Sequence, residues 1–542
     1  MKPTRLRTPA HDGGLLASPP LDEVDALIDA NLARSGSWEY DFQGRPASRL
    51  RGEARRQAAT AAVAYLREIG AAPPGALHHG EPDCLVVTGH QPEMFHPGVW
   101  VKNFAAAGIA ARRECCALNL VVDDDIPKNA SIRVPTVVDG RLTARRVEFD
   151  RWGGEAPYED LPVRDEAFFA SFDRRVREKL GDLIDDPIID VYWPEVVRHG
   201  DRGAPLGRRL AAARRRLEGS WGVCNLEIPI SRLCQTEAFA WFACHLLAQL
   251  PRYQSVYNQA LLEYRALYGI RSKNHPVSAL KTEGEWREAP FWVWRASAPR
   301  RQPLLVRQDD RTMLLRISGE PEPFLELPLT ADREACCAVE RLLELPATGV
   351  RLRTRALTTT MFSRYLLSDL FIHGIGGAKY DELGDAIARR FLHVEPPGFL
   401  TLSLTAWLGL PEASASPERL AGLDRELRDL TYNPDRHLNG AATPDAARLI
   451  AEKEALEAVD PTDPAERLER FRRFRAINET LQPLVEPRRE TARRERERTA
   501  QALDVDRLAR NREYSMVLYP RRRLRRTLSA YSGGAVEAAV GC

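Results

Sequence analysis

Two short apolar runs constrain this chain more than any other feature: CLVVT (84–88) and ALNLVV (117–122). Between them lies one amphipathic stretch, about 98–111, with apolar residues at helical spacing. Runs this short and this rich in valine and leucine read as buried strands. A helix between two paired strands forces a crossover, so the pair runs parallel in a right-handed βαβ unit. The sequence therefore predicts an α/β protein. In open parallel sheets, ligands settle beyond the carboxyl ends of the strands. The residues that follow each run are the first places to look for chemistry.

Around this unit the chain divides by pattern. Apolar residues at threes and fours over 21–32 and 50–69 predict two helices in an N-terminal helical extension, 1–80. A core follows over 81–410. It contains a hairpin turning at Asp139–Gly140 and helices near 164–181, 205–219, 235–250 and 253–268. It also carries a small antiparallel β meander around 290–330 and a strand-loop-helix over 350–391. The polar RSKNHP (271–276) and the aromatic FWVW (291–294) read as structural. Residues 411–510 are charged and helical, with Leu468, Phe471, Phe474, Ile477 and Leu481 at threes and fours. Breaks at Asn433–Pro434, Pro461–Pro464 and Pro483–Pro487 predict two or three helices in an antiparallel coiled-coil hairpin. A C-terminal segment, 511–542, returns to the core.

Composition excludes more than it proposes. A net charge of +2 gives no reason to expect a nucleic-acid partner. No apolar run reaches the ~18 residues of a membrane span, and the opening MKPTRLRTPAHDGG lacks the apolar centre of a signal peptide. Nine cysteines without a C-x-x-C spacing read as reduced thiols of a cytoplasmic protein. Of 78 basic residues only eight are lysine, which singles out Lys102 and Lys379.

The loop after the first run holds His90, Gln91, Glu93 and His96, and Pro97–Gly98 sit where the next helix begins. A helix start attracts anions, and two imidazoles beside it can donate to charge developing on a phosphate or carboxylate. The competing reading is a histidine that only caps or packs. A zinc site fits poorly, because His-x5-His is not the i,i+4 spacing of a helical metal pair, and no metal ligands are assigned. The second run ends in Asp123, Asp124 and Asp125, suited to magnesium or to a substrate amine, or else to a solvated turn. HGIGGAKYDE (373–382) sets Gly374, Gly376 and Gly377 ahead of a helix beginning near Tyr380, allowing close backbone approach to a ligand. Upstream, Arg353, Arg355 and Thr358–Thr360 suit a carboxylate or phosphate.

VVTGHQPEMFHPGVWVKNFAAAGIA resembles the strand-loop-helix of the cysteine ligase family of bacillithiol biosynthesis. LNLVVDDDIPKNASI and RYLLSDLFIHGIGGAKYDELGD are similar to its acidic strand end and its Gly-Gly loop. The same three segments also look like signatures of WbqC-like proteins of polysaccharide gene clusters. The first resemblance implies a Rossmann-like, nucleotidyltransferase-like parallel-sheet core, with a small β insertion and a coiled-coil hairpin that makes a homodimer. It implies His90 and His96 as catalytic groups. Substrate would be held by Thr88, Gly89, Gln91, Lys102, Asn103 and Asp123–Asp125. Arg353, Thr359, Gly374, Gly376, Gly377, Lys379 and Tyr380 would complete the site. The family's glutamine after the first glycine is His90 here. The expected function is a ligase or group-transfer enzyme joining a cysteine-like amine to a carboxylate or sugar-linked acceptor. ATP or another nucleotide with Mg is left open as cofactor. The alternatives are a glycan or nucleotide-sugar modifying enzyme, and a non-catalytic assembly protein using the coiled coil.

Overall fold

The computed structural model describes residues 6–74, 84–200, 203–271, 277–332, 334–438 and 443–533. Most of RSKNHP (272–276) therefore lies outside the described residues, as do the ends of the expected N- and C-terminal segments. The chain forms two compact units. One is drawn from the chain up to Val134, Arg145–Leu408 and Arg512 onward; the other from Pro135–Ala144 and Gly409–Asn511.

A six-stranded sheet organises the first unit. Its strands, numbered along the chain, are β1 (Leu15–Ser18), β2 (Leu85–His90), β3 (Cys116–Val121), β4 (Leu226–Pro229), β5 (Leu370–His373) and β6 (Phe399–Leu404). Their order is β1-β6-β5-β2-β3-β4. All pair in parallel except β1, which runs antiparallel to β6. Val87 sits between Phe371 and Leu118 in register. β3 is buried along its whole length, as the apolar run requires of a strand covered on both faces. From β2 the chain passes through the helix Pro97–Arg112 to β3. From the neighbouring β5 it passes through Ile375–Phe391 to β6, on the other side. The strand order thus reverses between β2 and β5, and their carboxyl ends bound a crevice.

Several expectations are corrected. The N-terminal segment is not purely helical. Its helices Val24–Gly36 and Ala47–Glu68 form, but Leu15–Ser18 becomes the sheet's edge strand. Four residues are too few to display alternation. The strand-loop-helix over 350–391 resolves into two strands in different sheets. Val350–Thr354 pairs antiparallel with Trp286–Arg295 of the meander, whereas β5 enters the central sheet. Buried Asp369 fixes the start of β5. It accepts from Leu85 N (2.7 Å) and pairs with Arg51 and Arg55 of the Ala47–Glu68 helix (2.5 and 3.1 Å).

In the second unit, Pro417–Tyr432 and Pro444–Glu457 each pack against one long helix, Pro464–Ala509. The contacts run antiparallel. Arg419 meets Glu495, Glu426 meets Arg488, and Thr431 O accepts from Gln482. The break expected at Pro483–Pro487 does not occur, because both prolines lie inside the long helix. An internal proline costs about 3 kcal/mol. Buried contacts on either side, Ile477 and Leu481 on Ala446 and Val485 and Ala492 on Leu430, offset that cost. The hairpin Ser131–Val138 and Arg141–Glu148 turns at Asp139 and Gly140, both with positive φ (51° and 73°). Among the described residues no helix is long and apolar enough to cross a membrane.

Candidate functional site

A cavity of about 500 Å³ lies at the β2–β5 crevice. It gathers His90, Gln91, His96 and Lys102 from the first segment and Thr359, Thr360, His373, Gly374, Gly376, Gly377 and Tyr380 from the second. Thr8, Ser403, Arg512 and Glu513 add to its polar lining.

The loop after β2 is shaped by its helix start. His96 is the N-cap of Pro97–Arg112, and its Nδ1 accepts from Gly98 N (3.1 Å). A backbone N–H can only donate, so the neutral ring carries its proton on Nε2. His90 is the reverse case. Its Nδ1 lies 3.3 Å from the Gln91 carbonyl, which can only accept, leaving Nε2 as a lone-pair acceptor. Burial, then the charge of Lys102, brings the His90 pKa down to about 3. Burial, then Arg512 and Lys102, brings that of His96 down to about 4. Both rings are neutral at physiological pH, one an acceptor and one a donor.

Lys102 Nζ donates to the Gly89 carbonyl at 2.8 Å. It has no carboxylate partner among the described residues, and burial alone lowers its pKa to about 8. A Cβ on Gly89 would stand 2.9 Å from Leu120 Cβ, so glycine is required where β2 and β3 close up. Gly98 is equally constrained, since a Cβ there would meet Arg512 at 2.2 Å and the Leu404 carbonyl at 2.3 Å. Arg512 crosses this helix start with its second nitrogen on Ser403 Oγ (2.8 Å), and its first is buried without a hydrogen-bond partner among the described residues.

On the other side the helix starts at Ile375, five residues before the expected Tyr380. Gly376 and Gly377 are therefore its first turn rather than a loop ahead of it. A Cβ on Gly376 would meet nothing within 4 Å, whereas one on Gly377 would press on His373 Nδ1 at 2.9 Å. Gly377 thus makes room for the His373 imidazole. His373 Nε2 lies 2.5 Å from Asp381 Oδ2, and Asp381 also accepts from Thr360 Oγ1 (2.8 Å) and Arg364 (2.9 Å). Burial alone would raise the Asp381 pKa, but His373 and Arg364 outweigh it and hold the carboxyl well below its usual range. Burial lowers the His373 pKa, opposed by Asp381.

The remaining candidates lie elsewhere. Asp123, Asp124 and Asp125 do not line this cavity. Asp125 accepts from Gln91 Nε2 (2.8 Å) and pairs with Arg301 (2.9 Å), supporting the loop from behind. Asp123 accepts from Ser231 N and Oγ (2.9 and 2.5 Å), and Asp124 is 3 % exposed with Oδ1 unpartnered. The reason is strand alternation at the end of β3, which turns successive residues to different faces. Arg353 is spent on a bidentate pair with Glu159 (2.8 and 2.7 Å). Thr88 ties β2 to β5 through the Ile372 carbonyl (3.1 Å). Asn103 donates to buried Glu218 (2.7 Å), and Lys379 is half-buried away from the lining.

Sequence reasoning missed His373, Asp381 and Arg512. His373 carried a signal, since it immediately precedes the glycines. Arg512 carried none in a chain so rich in arginine. Among the described residues no group of three or more His, Cys, Asp or Glu could hold a metal ion. The cavity's single carboxylate, Glu513, is exposed, so the lining does not fit a resident magnesium. What the arrangement offers is a concentration of donors, two helix starts, an ammonium, a guanidinium and an imidazole N–H, around one space that also holds the His90 lone pair. No protein-family model matches this chain, and no curated protein matches it.

Proposed function

We propose that this chain is a group-transfer enzyme of the ligase kind, with a Rossmann-like, nucleotidyltransferase-like core. It would take a phosphate-bearing substrate, a nucleotide or an acyl phosphate, at the β2–β5 crevice. One observation carries the reading: the starts of Pro97–Arg112 and Ile375–Phe391 meet there beside Arg512 and beside Lys102, which pairs with no carboxylate among the described residues. Helix starts and unpaired cations favour bound phosphate for the same electrostatic reason.

The chemistry follows from which atoms are free. An amine attacking an acyl phosphate forms a C–N bond as the C–O bond to phosphate breaks. The proton lost by the amine leaves with the departing phosphate, while His90 Nε2, a neutral lone pair at physiological pH, accepts a hydrogen bond from the amine N–H and orients it. Charge growing on the departing phosphate meets His96 Nε2–H, Lys102 and Arg512. Asp381 keeps the His373 ring in place at the same wall, as a positioning residue. A cysteine-like amine remains the proposed acceptor.

Thermal-shift and calorimetric titration with ATP, AMP, acetyl phosphate, sugar phosphates and amino acids tests this reading. Binding of a phosphate-bearing compound, weakened in Lys102→Met, supports it. A chain indifferent to every phosphate in the panel would rule it out. We further infer a homodimer through the second unit, because Leu468 and Phe471 of the long helix are 49 % and 62 % exposed.

A further inference from the structure

A second cavity, of about 270 Å³, lies on the opposite face of β3. Alternation separates the two spaces: Leu120 and Val122 line the first, Val121 and Asp123 the second. The second is walled by Tyr65 of the Ala47–Glu68 helix, Ser231 beyond β4, and Arg351 and Arg353 of the strand Val350–Thr354.

Most of its charges are already committed. Arg353 holds Glu159, Asp123 accepts twice from Ser231, and Arg232 pairs with Glu68 (2.9 Å). Arg351 and Tyr65 are among its uncommitted donors. Arg351 Nε is buried with no hydrogen-bond partner, and its guanidinium forms no ion pair among the described residues. Tyr65, 4 % exposed, lines the cavity with a hydroxyl that bonds to no described residue. A guanidinium and a phenol facing one space suit an acceptor, and an anionic one most of all. The same walls hold Asp123 beside the Arg353–Glu159 pair, and its carboxylate welcomes a donor group.

We propose that this cavity binds a small carboxylate bearing a hydroxyl or amino group, with the carboxylate on Arg351 and Tyr65 and the donor toward Asp123. Burial and the neighbouring Glu159 push the Asp123 pKa up to about 7, so above neutrality it meets the donor as a carboxylate. The proposal does not rest on the phosphate reading of the first cavity.

Calorimetric titration of the full chain with L-alanine, L-lactate, L-serine, glycolate and inorganic phosphate tests it. L-alanine and L-lactate differ only in the donor group and so separate its two sources. Saturable binding of at least one carboxylate is expected, weakened about tenfold or more in Arg351→Gln and about threefold in Tyr65→Phe. Lys102→Met, which alters only the first cavity, should leave that affinity at the wild-type value, while its own phosphate titration reports on the first cavity separately. If Arg351→Gln does not fold, Tyr65→Phe decides: a threefold loss supports the site and an unchanged affinity overturns it. Binding by none of the carboxylates, binding indifferent to both variants, or binding lost in Lys102→Met would also overturn it.

Discussion

Lys102 and Asn103 are neighbours in one helix and face two different polar interiors. Asn103 belongs to a charge-paired network. Its amide and the Trp100 indole both donate to Glu218 Oε1 at 2.7 Å. Arg214 bridges Glu218 and Glu227 at 2.7 and 2.5 Å, and Asn119 donates to Glu227 (2.8 Å). Burial alone would lower the Arg214 pKa, but the two glutamates outweigh it and raise it. Lys102 has one carbonyl and no counter-charge, and burial lowers its pKa to about 8. Charge cancelled where it stands is architecture; charge left open at a cavity is binding capacity. That difference, and not burial itself, separates framework from site in this molecule.

The sharpest way to break this contrast is Arg214→Met. It strands two buried carboxylates and should cost about 3–5 kcal/mol in chemical denaturation; a loss under about 1 kcal/mol would mean that Arg214 does not neutralise them. Lys102→Met should do the opposite. Melting temperature should hold or rise, because a buried unpaired ammonium is removed, while phosphate affinity falls about tenfold or more. In the wild type, phosphate affinity should decline as pH rises through about 8, where Lys102 loses its proton. An affinity flat from pH 7 to 10 would show that Lys102 is not the cation involved.

His96→Ala sharpens the comparison on a smaller scale. Removing the N-cap acceptor should cost about 1 kcal/mol at pH 7. His96 titrates at about 4 when folded, against roughly 6.5 when unfolded. The unfolded chain therefore takes up the proton first, so this stability is complete above the unfolded value and is lost as pH falls from 6.5 toward 4. The alanine variant lacks that loss, and the gap between the two proteins should narrow in denaturation curves at pH 5. Smallest in stability is Leu468→Ser with Phe471→Ser. Both side chains are exposed, so the melt should change by no more than about 0.5 kcal/mol, while sedimentation shifts toward monomer. A dimer that persists would remove those residues from the interface.

The βαβ unit was legible because apolar periodicity is a local property, and so were the helices Ala47–Glu68, Pro97–Arg112 and Leu206–Ser220. β5 was not, since LFIH is four residues long and abuts glycines that draw attention to the turn. The histidine segment and the glycine segment do meet in one cavity, and the rule of strand ends is enough to suggest why. The aspartates show where that rule runs out. It gives an end of the sheet but not a face: it sets Asp123 beside His90, whereas Val121 and Asp123 turn to the other cavity. Prolines misled in the second unit for a related reason. Propensity prices Pro483 and Pro487 in isolation, whereas Val485 and Ala492 are held by a partner helix.

The sequence by itself determined which segments are strands and helices long enough to show a period, and where the helix after the first apolar run begins. Only the tertiary structure decided which charges are cancelled. Pairing joins residues hundreds of positions apart, as Arg51 with Asp369 or Arg353 with Glu159, and no local pattern records it. Whether Lys102, Arg512 and Arg351 belong to sites therefore depends on the distance to the nearest opposite charge, which exists only once the chain has folded.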